Sequence, residues 1–248
     1  MGAGGMGAGG MGAGGAGGAV GPDCSGLSPQ PKPGLGAWYR FEEDMGLVCD
    51  WSGNDNHGVV EGAGVTRGVP GAVGSAIAFN GTDGRVHITA SPSLDFLTAA
   101  TIELWVRLDD VGLGSVGSTV SRGTGNNDKN VLMNSSCGNM QTIFSTLGGT
   151  TNVTSSCNAI PASTWKHIAI VNNGATLTMY LDGAVTASAP GGYLGAIPSD
   201  LYIGRREQGI FSFHGSIDDV KWWSIARTQP EICGDAGGAW QNGACVLP

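Results

Sequence analysis

From residue 34 onward the apolar residues fall in short runs separated by Gly, Asn, Asp, Ser and Pro. No amphipathic helical period links one run to the next, so the pattern predicts strands. They are expected at 37–42, 75–80, 85–89, 101–108, 118–121, 131–134, 140–146, 165–171, 176–181, 184–189, 201–203 and 216–225. The run Trp165-Lys166-His167-Ile168-Ala169-Ile170-Val171 is apolar on both faces and reads as a central strand. Gly81-Thr82-Asp83-Gly84 and Asp182-Gly183 are hairpin signals joining the strands on either side of them. Strands that recur this closely, with no helix between them, predict an all-β sandwich or jellyroll. Pro230-Glu231-Ile232 reads as one helical turn.

The strand at 216–225 holds Asp218 and Asp219 back to back among Ile217, Val220, Trp222 and Trp223. A carboxylate pair in so apolar a setting is costly unless something neutralises it. A metal ion or a hydrogen-bonded turn would do so. Simple alternation points the two acids to opposite faces.

Composition narrows the class. Of 248 residues, 13% are charged and the formal net charge is −8, which argues against a nucleic-acid partner. No run of apolar residues is long enough to form a membrane helix. Residues 1–33 open with three copies of Met-Gly-Ala-Gly-Gly and fade into a Pro-containing spacer, a linker with almost nothing to bury. The domain is therefore expected at 34–230, with a C-terminal extension at 231–248.

Six cysteines in a turn-rich chain favour an oxidising compartment and allow 15 pairings. Proximity suggests Cys137 with Cys157 and Cys233 with Cys245, which leaves Cys24 with Cys49. Residues 1–33 lack the pattern of a signal peptide, so an export signal or a preceding domain is expected upstream of Met1.

The order Leu201-Tyr202-Ile203-Gly204, then Gly215-x-Ile217-Asp218-Asp219-Val220, Trp222-Trp223 and Ala226-Arg227, closely resembles the end of laminin-G-like jellyroll domains. These group with the concanavalin A-like lectins and glucanases. Asp50-Trp51-Ser52-Gly53-Asn54-Asp55-Asn56-His57-Gly58, Trp165-x-His167-Ile168-Ala169 and Leu177-x-Met179-Tyr180-Leu181-Asp182-Gly183 extend the resemblance over about 34–227. It implies a two-sheet antiparallel jellyroll and a structural calcium ion where the first loop meets the last strand. Carried over residue by residue, the ligands would be Asp50, Asn54, Asn56 and Asp218. A metal-free turn, with Asp50 and Asp218 capping backbone N–H groups, stands beside that reading.

The resemblance also implies an extracellular, non-catalytic binding or adhesion module with carbohydrate as its ligand class. The rival is a structural or protein-interaction domain at the cell surface. Asn126, Asn127 and Asp128 in one loop, with Tyr193, Phe211 and Phe213, are the candidates for sugar contact. As turn residues and core aromatics they would do nothing of the kind. The glucanases' Glu-x-Asp-x-x-Glu strand is absent, since Glu103 is followed two positions on by Trp105. Gly112-Leu113-Gly114-Ser115-Val116-Gly117 reads as a loop, because strand and not helix follows it. His167 is expected to be a satisfied structural histidine.

Overall fold

A computed structural model describes residues 22–109, 116–123, 129–134, 139–146, 149–192 and 194–248. The chain runs through β1 (Leu35–Tyr39), β2 (Gly58–Glu61), β3 (Val65–Pro70), β4 (Ser75–Asn80) and β5 (Arg85–Ile88). It continues through β6 (Ala100–Leu108), β7 (Val116–Arg122), β8 (Lys129–Asn134), β9 (Asn139–Thr146) and β10 (Gly149–Thr154). Then follow β11 (Lys166–Asn172), β12 (Thr176–Leu181), β13 (Ala184–Pro190), β14 (Leu201–Ile203) and β15 (His214–Trp223). Helix α1 (Gln229–Asp235) and the hairpin β16 (Ala239–Gln241) and β17 (Ala244–Val246) close it.

The strands make two antiparallel sheets. The larger has the order β13-β12-β11-β6-β15-β4-β3, with β1 also paired to β15. The smaller has the order β10-β9-β8-β7-β14-β5-β2. This is the all-β, two-sheet jellyroll that the strand pattern predicts. The pattern passes over β2, β3 and β10, which are short or rich in Gly and Thr. It also underestimates α1, where Thr228 and Glu231 form a capping box and Pro230 stands in the first turn.

Alternation explains how the sheets bury their core. On β6, Ile102, Leu104, Val106 and Leu108 point inward and are essentially buried. Each such side chain contributes about 1.5–3 kcal/mol by leaving water. Phe96 stacks on Trp222 with centroids 4.5 Å apart, and the Trp222 indole N–H donates to the Leu94 carbonyl at 2.9 Å. Gly204 ends β14 at φ +88, and a Cβ there would lie 2.2 Å from the Phe79 ring. Only glycine serves at the close of that Leu-Tyr-Ile-Gly motif. Arg122 is buried at 2% exposure, held by Asp95 at 2.8 Å and by the carbonyls of Leu94, Ile197 and Ser199.

Cys24 is bonded to Cys49, and Cys233 to Cys245. Cys157 is disulfide-bonded, and Cys137 lies outside the described residues. The first bridge fastens residues 22–27 to the domain, and the second staples β16–β17 to α1.

Candidate functional site

The loop from Asp50 to Gly58 is organised by one carboxylate. Asp50 is completely buried. Its Oδ1 accepts from the N–H groups of Trp38 and Ser52, each at 2.9 Å. Its Oδ2 accepts from the Ser52 hydroxyl at 2.8 Å and the Asn56 N–H at 3.0 Å. Asn54 and Asn56 turn their amide NH2 groups to carbonyls, both reaching Gly36 O, at 3.1 and 2.7 Å. The sequence brings these three residues together, as the calcium expectation requires. The Asp50 oxygens, however, already accept four hydrogen bonds and keep no free lone pair for a cation.

Asp218 lies elsewhere. The strand β15 carries a bulge between Asp218 and Lys221, with Asp219 at φ +49. The extra residue corrects the expectation of opposite faces: Ile217, Val220 and Trp222 enter the core, and both acids lie on the outer face. Asp219 accepts from the Trp38 indole N–H and pairs with Lys221 at 2.9 Å. Asp218, 0% exposed, accepts from the Val73 N–H at 2.9 Å. Its Oδ1 has no hydrogen-bond partner. Burial, then Asp219 and Glu42, push its pKa up to about 7 against the pull of the Val73 N–H. A Cβ on Gly71 would lie 2.6 Å from Asp218 Oδ2 and 2.8 Å from the Ser75 carbonyl, so only glycine lets the β3–β4 turn pack this closely on Asp218. Asp218 Oδ1 is thus left without a protein partner, whereas both oxygens of Asp50 are engaged. Among the described residues no group of three or more His, Cys, Asp or Glu side chains is set to hold a metal.

A cavity of about 480 Å³ opens where β1 ends, lined by Pro22, Arg40, Glu42, Glu43, Asp44, Met45 and Trp51. Phe41, at φ +55, turns its ring into the core, so its flanking residues border the cavity. A non-glycine residue held there is strained, and such strain gathers at functional sites. The Trp51 indole N–H donates to Glu43 at 3.2 Å, and the Arg40 guanidinium lies 4.7 Å over its ring. Arg40 also reaches the Trp38 ring, at 5.6 Å. Glu42 caps the Ser75 N–H at 3.1 Å. Burial raises the pKa of Glu43, opposed by the Trp51 N–H.

These residues were absent from the candidates chosen by sequence. The usable signal was the acidic run Glu42-Glu43-Asp44 between an aromatic strand and Trp51. The Cys24–Cys49 bridge then brings Pro22 to it, with Leu47 N–H on Pro22 O at 2.7 Å. Of the sugar-contact candidates, Asn126, Asn127, Asp128 and Tyr193 lie outside the described residues. Phe211 is half-buried at φ +54, with Arg206 5.6 Å over its ring. Phe213 is a core aromatic, 1% exposed. His167 is buried, but its Nδ1 has no hydrogen-bond partner, which corrects the expectation of a satisfied histidine.

Two packed antiparallel sheets with these loops define a lectin-like jellyroll. The chain belongs to the Laminin_G_3 family, described as concanavalin A-like lectin/glucanases superfamily, whose model matches residues 80–233. No curated protein matches it in sequence. Among solved structures it is similar to the binding domain of Paraclostridial Mosquitocidal Protein 1, at 20% identity and TM-score 0.64, over 80% of this chain and 51% of that one. It is also similar to domain 4 of AbnA, a GH43 extracellular arabinanase from Geobacillus stearothermophilus, in complex with arabinotriose. There the identity is 18% and the TM-score 0.63, over 82% of this chain and 97% of that one. The binding domain of Botulinum Neurotoxin DC, in complex with SialylT, matches at 13% identity and TM-score 0.61, over 80% and 49%. The chain spans about half the length of the toxin binding domains.

Proposed function

We propose that this chain is an extracellular, non-catalytic carbohydrate-binding module that takes its saccharide at the Trp51 cavity. The observation that carries this reading is the cavity wall, where an indole ring stands beside a guanidinium and three carboxylates. Saccharides are bound by that combination: C–H faces pack on the aromatic ring, and hydroxyls bond to planar polar groups. The volume falls within the roughly 300–1,000 Å³ of small-ligand sites. The arabinotriose and SialylT complexes of its structural neighbours support a sugar as the ligand class. The disulfides support an oxidising compartment. Among the described residues no helix is long and apolar enough to cross a membrane.

In this reading a calcium ion is structural and sits at Asp218, away from the sugar. Its contribution would be to neutralise a buried carboxylate and tie the β3–β4 turn to β15.

A glycan array followed by calorimetry tests the function. Trp51→Ala and Arg40→Ala are expected to weaken the best glycan at least tenfold. A glycan bound equally by wild type and Trp51→Ala would move the site elsewhere. A protein that binds no glycan but captures a cell-surface protein would overturn the ligand class.

A further inference from the structure

The outer face of the larger sheet carries a buried ionic cluster that the sugar site does not use. Glu103 on β6 is 0% exposed and His167 on β11 is 2% exposed. Lys221 on β15 lies 2.9 Å from Asp219 and 2.9 Å from Asp235 at the end of α1. Arg227, just before α1, pairs with Asp235 at 2.5 Å, approaches Glu103 at 3.5 Å and lies 4.1 Å over the Trp223 ring. His167 Nε2 is 3.7 Å from Glu103. Asp182 faces this group from the β12–β13 turn, where it pairs with Lys166 at 2.6 Å and accepts from the His167 N–H. Glu231 faces Arg227 at 3.8 Å but is half solvated. The α1 segment covers the cluster, with Ile232 packed on Ala169, Val171 and Tyr180.

Count the buried charges nearest Glu103. Lys221 and Arg227 balance Asp219 and Asp235. Glu103 as a third carboxylate leaves one negative charge in excess, and it lies close enough to Asp235 for a proton on Glu103 to be shared between the two.

We propose that the segment from Arg227 to Pro248 is a proton-dependent latch, closed over the sheet while Glu103 is protonated and released when Glu103 ionises. Burial, then the charge of Asp235, push the Glu103 pKa up from 4.5 to about 8, against Lys221 and Arg227. Released, the carboxyl meets water and regains its ordinary value. Its contribution to closure is therefore complete below about 4.5 and is lost as pH rises through about 8. His167 acts oppositely: burial, then Lys221, lower its pKa from 6.5 to about 4, so acid favours release over that range. The two effects offset one another between about 4.5 and 6.5. Above that window the Glu103 effect stands alone, and closure weakens by about tenfold per pH unit up to roughly 8.

Hydrogen exchange on the full chain tests this. The amides of Ile232, Ala236 and Gly238 donate to the carbonyls of Thr228, Ile232 and Cys233 within the segment, and a helix this short is not stable undocked. Their protection factors, corrected for intrinsic exchange, are expected to fall at least tenfold between pH 6.5 and 8. Core amides of β6 and β11 should hold theirs. Glu103→Gln should flatten the profile because it cannot ionise. Asp235→Asn should flatten it by another route, since an ionised Glu103 then balances the cations. A flat wild-type profile, or a slope that persists in either variant, overturns the latch. If Glu103→Gln does not fold, wild type and Asp235→Asn decide.

Discussion

Replacing Asp50 with alanine should be among the most damaging single changes in the first loop. The side chain accepts four hydrogen bonds, from the N–H groups of Trp38, Ser52 and Asn56 and from the Ser52 hydroxyl. The hydroxyl can turn to Gly36 O, which it already approaches at 3.3 Å. The three backbone N–H groups have nowhere to turn. Leaving a buried donor unmet costs about 1–3 kcal/mol, so a loss of about 3–5 kcal/mol is expected for the set. At about 2–4 °C per kcal/mol for a domain of this size, the melting temperature should drop by roughly 6–20 °C. Asp50→Asn keeps one acceptor oxygen and should lose about half as much. Denaturant unfolding and calorimetry in both chelator and calcium are the assays. A hydrogen-bonded carboxylate loses the same stability in the two buffers. If Asp50→Ala costs under about 1 kcal/mol, or its cost vanishes in chelator, the argument that these donors organise the loop is wrong.

Two further outcomes are expected. Calcium should raise the melting temperature and chelator should lower it, a response that Asp218→Asn abolishes and Asp50→Asn keeps; absence of any chelator effect in wild type would remove the ion from Asp218. His87 lies between Asp200 at 2.7 Å and Glu61 at 2.9 Å. Partial burial works to lower its pKa, but the hydrogen bonds with Asp200 and Glu61 outweigh it and raise the value above 6.5. The stability this charge supplies is fully present below about 6.5 and lost as pH rises through the raised value, so His87→Gln should flatten stability against pH there. An unchanged slope in urea titrations of that variant would refute the assignment.

Much of the fold was legible because its strands announce themselves by burial. Ile102, Leu104, Val106 and Leu108 alternate with Glu103, Trp105 and Arg107, and Leu201-Tyr202-Ile203 ends at a glycine that sterics require. The strand β3 was not legible. Its Val-Thr-Arg-Gly-Val-Pro carries a glycine at φ +67 and lies at the sheet edge, where little apolar surface is needed. The candidate site was less legible still. Arg40, Glu43 and Trp51 come together through a left-handed Phe41, and the cavity wall closes only when a bridge brings Pro22 over. Neither a bulky residue at positive φ nor a disulfide partner can be read from local pattern. Glu103 shows the same limit: a lone acid in an apolar strand looks solvated until the C-terminal segment is seen to cover it.

The Asp218-Asp219 pair shows how one backbone irregularity sets the chemistry of a face. In a regular strand the second acid would point between the sheets, among the apolar side chains of the core, where burying a charge is costly. The bulge moves it outward at the cost of a strained residue at φ +49. There it meets the Trp38 indole and Lys221. Lys221 is in turn the cation that Asp235 closes upon, and Trp38 lies under the Arg40 guanidinium that reaches Trp51. One inserted residue thus sends two adjacent carboxylates to separate tasks, Asp218 to the β3–β4 turn and Asp219 to the ground between the cavity and the latch. In Ile-Asp-Asp-Val the bulge thus puts both acids on the outer face without breaking the apolar register that holds the sandwich together.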